Sequence, residues 1–170
     1  HAALTANTSG ANNTAIGSRT LQANTTAGSS TAVGNCALAT NSTGSLNTAV
    51  GVSSMRFNTT GSQNASFGVN ALEANTEGDN NTAVGVAALG ANTTADDNTA
   101  VGHSALAANT TGCRNTAVGK NALDTNTTGI NNAAFGCGAL CTATSAANNV
   151  SIGSQTMRAT TTGGCNTALG

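Results

Sequence analysis

Few residues in this chain have side chains that do chemistry, and their spacing keeps them apart. The two histidines, His1 and His103, are six repeats apart in a strict 17-residue pattern. That separation is about 29 Å if each repeat is one strand layer, too far for a shared site. Of the five cysteines, Cys36, Cys113, Cys137, Cys141 and Cys165, only Cys137 and Cys141 fall within one repeat. None has zinc-ligand spacing, and free or buried thiols are the expectation. The acids Glu73, Glu77, Asp79, Asp96, Asp97 and Asp124 gather loosely in the middle repeats. Asp79 and Asp96 with nearby carbonyls are a conceivable calcium pair, but no aspartate motif recurs with the period, so no metal is expected. There is no nucleophile–base pair and no phosphate loop with its lysine. The expectation is therefore no catalytic residue, no cofactor and no enzymatic activity.

One pattern does carry chemical meaning. Asn7, Asn24, Asn41, Asn58, Asn92, Asn109 and Asn126 each begin an Asn-x-Ser/Thr sequence, all at the same phase of the repeat. On a surface turn of a secreted eukaryotic protein that triplet accepts an N-glycan. Asn-Thr is also good turn and ladder chemistry with no sugar attached. The sequence leaves both readings open, and a glycoprotein remains one expectation.

The elements that must position these residues come from the repeat itself. Asn98–Arg114 reads NTAVGHSALAANTTGCR, and Asn115–Asn131 reads NTAVGKNALDTNTTGIN. With Asn98 as position one, His1–Asn12 is a partial repeat, and further repeats begin at 13, 30, 47, 64, 81, 98, 115, 132, 149 and 166. Residues 1–170 thus form a single array, expected to be part of a longer chain or fibre. A unit this short must stack on its neighbours to bury anything.

Position four is always large and apolar, and position nine is always Leu or Met. These two are the expected core, represented by Val50, Leu72, Val84, Leu89, Val101, Leu106, Val118 and Leu123. Position five is always glycine, including Gly51, Gly68, Gly85, Gly102, Gly119 and Gly136, where a turn needs φ > 0 or close backbone approach. Apolar anchors separated by Gly and by Asn-Thr-Thr-Gly cannot form a helical stripe. Thr-Ala-Val and Ala-Leu-x-Ala read as two brief strands, and Asn-Thr-Thr-Gly as the second turn. The predicted fold is all-β: a parallel β-solenoid or β-roll of ten 17-residue coils, with two short strands per coil. It would be about 48 Å long at the usual strand spacing. With so thin a core, stacked Asn and Thr rows are expected to support it.

Composition excludes several partners. Charged residues make up only 6% of the chain and the net charge is −1, so no electrostatic footprint for nucleic acid exists. No apolar run is long enough for membrane insertion as a helix.

The motif Asn98-Thr99-Ala100-Val101-Gly102, with Ala-Leu and Asn-Thr-Thr-Gly following, resembles the head repeats of trimeric autotransporter adhesins and the related repeats of phage tail fibres. That resemblance implies a left-handed parallel β-roll, three chains together, displayed on a cell or virion surface. The leading expectation is an extracellular structural fibre or adhesin shaft. Its expected partners are copies of itself, as a trimer or an end-to-end filament, together with glycans or a host surface. Two alternatives use the same architecture: an ice-binding solenoid with a threonine array, and a multivalent carbohydrate- or receptor-binding head.

Overall fold

The computed structural model describes residues 2–170; His1 lies outside them. Each repeat contributes one three-residue strand, numbered β1 (Thr14–Ile16), β2 (Thr31–Val33), β3 (Thr48–Val50), β4 (Ala65–Phe67), β5 (Thr82–Val84), β6 (Thr99–Val101), β7 (Thr116–Val118), β8 (Ala133–Phe135), β9 (Val150–Ile152) and β10 (Thr167–Leu169). All ten form one parallel sheet in sequence order. The register is exact to the repeat, so Thr99, Ala100 and Val101 pair with Thr116, Ala117 and Val118. The fold is the parallel β-solenoid that the period predicts.

The rest of each coil departs from expectation. Ala-Leu-x-Ala does not make a second strand; it is turn. Its leucine is left-handed, with φ of 52° at Leu72, 50° at Leu89, 51° at Leu106 and 50° at Leu123. Positions seven and seventeen are left-handed as well, as at Ser104 (54°) and Arg114 (58°). Three such corners close a loop of 17 residues around a narrow interior. Each corner costs a non-glycine residue about 1–2 kcal/mol. At position nine, burying a whole leucine offsets that by about 1.5–3 kcal/mol.

Side chains alternate along a three-residue strand, and here the middle one is the one that faces inward. That residue is the alanine of position three: Ala83, Ala100 and Ala117 are fully buried. The expected core valines are therefore corrected. Val50 and Val118 are half-buried, while Val84 and Val101 are 38% and 36% exposed on the outer face. The core is alanine at positions three and eight against leucine at nine, with Leu72, Leu89, Leu106 and Leu123 all fully buried. The interior is too narrow for two large rows.

Asparagine fills what alanine leaves. Position-twelve side chains, expected at a surface turn, point into the coil. Asn92 Nδ2 donates to Asn75 Oδ1 one coil below (2.8 Å) and to Ala95 O (3.0 Å). Asn109 and Asn126 repeat the pattern on Asn92 and Asn109. A second ladder runs through position one, where Asn98 N donates to Asn81 Oδ1 (3.0 Å) and Asn115 N to Asn98 Oδ1 (2.9 Å). The two ladders meet on one carbonyl per coil: Asn81 Nδ2 and Asn92 Nδ2 both donate to Ala95 O, at 2.8 and 3.0 Å. Threonines of position thirteen form a third row, with Thr93 Oγ1 donating to Thr110 O at 3.1 Å. Each buried amide thus exchanges water for a neighbouring coil, as buried polar groups require.

The position-twelve ladder stops at one place. The next residue in the row after Asn126 is Ala143, and Asn126 Oδ1 is left buried with no partner. Ala143 N donates to Leu140 O at 3.2 Å, as Asn126 N does to Leu123 O at 3.1 Å, so the backbone there matches an asparagine site. An Ala143→Asn variant should satisfy the orphan acceptor and gain about 1–2 kcal/mol, read as a raised urea midpoint. An unchanged or lowered midpoint would show that the gap is not the weak point it looks.

Candidate functional site

Among the described residues, the side chains singled out for chemistry stay dispersed along the rod. His103 Nδ1 and Ser104 Oγ are 3.1 Å apart on the exposed surface. All five cysteines are free. Among the described residues no group of three His, Cys, Asp or Glu side chains could hold a metal. Asp79 and Asp96 are occupied differently: Asp79 Oδ1 accepts from Ser62 N (2.6 Å) and Asp96 Oδ1 from Asp79 N (2.7 Å). They belong to a row of side chains at position sixteen that cap backbone N–H groups one coil below. Ser45 Oγ and Ser62 Oγ do the same for Gly28 N and Ser45 N.

The glycan-acceptor reading needs correction. Asn24, Asn41, Asn58, Asn92, Asn109 and Asn126 are fully buried. Where the ladder runs, the Nδ2 that would carry the sugar donates into it, as at Asn41 (3.2 Å to Asn24 Oδ1) and Asn58 (2.7 Å to Asn41 Oδ1). A glycan there would remove a donor and fill a space that holds the next coil. Asn7 is exposed. Asn12 and Asn80, which also begin Asn-x-Thr triplets, are exposed at position seventeen.

Glycines of position five are structural. Gly102 has φ +137°, and a Cβ on it would sit 2.6 Å from Gly119 O. Gly51, Gly68, Gly85, Gly119 and Gly136 repeat this, with φ between +133° and +144°.

What remains is a surface. Because position three faces inward, positions two and four of every strand face outward on the same side. The outer rank is Thr-x-Val in β2, β3, β5, β6 and β7, and it runs without a break from β1 to β10. Around its centre Val52, Val69 and Val86, at position six, widen it and are 45–48% exposed. Phe67 and Phe135, grouped by sequence with the core row, also lie on this face, at 42% and 39% exposure. Where position four grows to phenylalanine, position two shrinks from threonine to alanine: Ala65 with Phe67, Ala133 with Phe135. β9 departs from this exchange, with Val150 and Ile152 both large. The outer face thus carries a row of partly exposed apolar side chains.

Sequence reasoning missed this surface because it took any row of large apolar residues as core. The available signal was the run Thr-Ala-Val, in which adjacent Ala and Val cannot both face inward. No protein-family model, curated protein or solved structure matches this chain.

Proposed function

We propose that the chain is the shaft of an extracellular fibre, in which copies associate side by side through the outer Thr-x-Val face. The observation that carries this reading is the apolar stripe on that face, continuous across ten strands. A second copy is the occupant that fits it best. A rank repeating with every coil is matched along its whole length only by a partner with the same repeat. The face is also uncharged except for Lys120, which borders it at position six. The extracellular setting rests on the resemblance of the NTAVG motif to adhesin and tail-fibre repeats. The rest of the molecule supplies rigidity and length.

A charge placed in the stripe tests this directly. Val84→Lys and Val101→Lys alter outward side chains and leave the coil interior intact. Together they should weaken self-association by about a hundredfold, since each exchanges apolar burial for a buried cation. Analytical ultracentrifugation reads the loss of the oligomer, and circular dichroism the retained fold. If both variants sediment like the parent, the face is not the contact.

A second reading uses the same surface differently. Thr31, Thr48, Thr82, Thr99 and Thr116 stand outward beside valines, in register along the sheet. A regular threonine array of this kind is what an ice-binding solenoid presents. The aromatic ranks of β4 and β8 interrupt it, which favours the fibre. Thermal hysteresis of the monomeric lysine variants and of the parent separates the two.

A further inference from the structure

A second surface feature lies away from the outer face, on the side formed by positions seven, ten and eleven. Small residues there leave a trench, floored by Ala23 and Ala39, with a volume of about 470 Å³. That size is typical of small-ligand sites. It runs along the rod over four coils and is closed by Phe57, which replaces the Ala or Thr that every other coil has at position eleven. The ring is 43% exposed.

The chain has only five Lys and Arg residues, and two of them, Arg19 and Arg56, line this one trench. The Arg56 guanidinium lies over the Phe57 ring, 4.9 Å from its centroid, which holds the fork in place. Arg19 stands two coils away, about 10 Å along the rod. No Asp or Glu occurs before Glu73, so the four coils that form the trench carry no carboxylate of their own. Gln22 adds an amide to the lining.

We propose that this trench binds an acidic oligosaccharide, with one sugar face against Phe57 and carboxylates on the Arg19 and Arg56 guanidiniums. Guanidinium forks match carboxylates in two parallel hydrogen bonds. An exposed aromatic ring beside them offers an apolar platform for the C–H face of a pyranose. The small-residue lining leaves room for a chain of sugar rings lying along the rod. Two separated cations suit an acid repeated along that chain better than a single anion. On a multi-chain fibre each copy would carry one trench, giving avidity without further contacts.

The test is calorimetric titration of the whole chain with oligogalacturonate as the acidic probe and a malto-oligosaccharide as the neutral one. Saturable binding of the first and none of the second is expected. Arg19→Gln and Arg56→Gln should each weaken it about tenfold or more, as loss of a charged hydrogen-bonding partner does. Phe57→Ala should weaken it as well. All three side chains lie outside the coil interior, so folding is preserved and circular dichroism verifies it. Absence of saturable binding, equal binding in both glutamine variants, or equally tight binding of oligoglutamate would each overturn the proposal. Sedimentation of the same samples reports self-association separately, because the trench and the outer face use different residues.

Discussion

A Gly102→Ala variant should lose more than about 3 kcal/mol, because the new methyl group meets backbone that cannot move. At φ +137° the added Cβ lies 2.6 Å from Gly119 O and 2.7 Å from Gly119 C. Gly119 is fixed in turn, since its N–H donates to Val101 O at 2.8 Å. Relief would therefore break the ladder at the coil junction. The control is the same substitution at a glycine of another kind. Gly138 has φ +65°, and its Cβ would meet only Gln155 Cγ at 3.7 Å. Ala87, Ser104 and Asn121 occupy the equivalent corner with φ of 54–57°. Gly138→Ala should therefore cost only about 1–2 kcal/mol, that of a left-handed corner, well under the loss at Gly102. Urea denaturation followed by circular dichroism compares the two, and equal losses would sink this account of position five.

Asn92→Asp should be nearly as damaging, and in a pH-dependent way. Asn92 Nδ2 donates to two acceptors, Asn75 Oδ1 and Ala95 O. A carboxylate in its place turns an oxygen toward both, inside a fully buried site. The expected loss at neutral pH is about 3–5 kcal/mol, the cost of an unpaired buried charge. Burial and facing acceptors raise the folded-state pKa of the new carboxyl above its unfolded value of about 3.9. Between those two pKa values the folded state binds more protons than the unfolded one, so stability falls as pH rises through that window. Below it, the protonated acid donates to one acceptor and part of the loss is recovered. A denaturation series in pH that shows the variant's deficit growing upward from acid supports this. A deficit independent of pH would mean that the ladder tolerates a charge.

The Gly and Leu rows were legible in the sequence because only one physical role suits each. A glycine that never varies in ten coils marks a backbone constraint, and a leucine among polar turns marks burial. The Val row was misread because hydrophobicity carries no direction. Val101 and Ala100 are neighbours in a three-residue strand, and the narrow interior accepts the smaller one. The Asn row was misread in the opposite sense. Asn92 is polar and sits among turn residues, which argues for the surface, yet its amide finds both partners inside once identical coils are stacked. That reversal depends on neighbours 17 residues away, and no local propensity contains it. The Arg19, Arg56 and Phe57 trench was hidden for a similar reason, since its residues come from different phases of different coils.

The ladders also bear on how the chain reaches this state. The coil-to-coil side-chain bonds link residues 17 apart, as between Asn92 and Asn109, in a chain of 170. The dominant sequence separation is therefore a tenth of the length, in the range of small helical bundles and below that of β-sandwiches. Each new coil closes a short loop onto one already formed, so growth is a zipper that can start at any coil. Adding repeats lengthens the rod without lengthening the loops that must close. An all-β rod of this design should fold quickly for its class, and its length can change by whole repeats with little effect on the time that each coil takes to join.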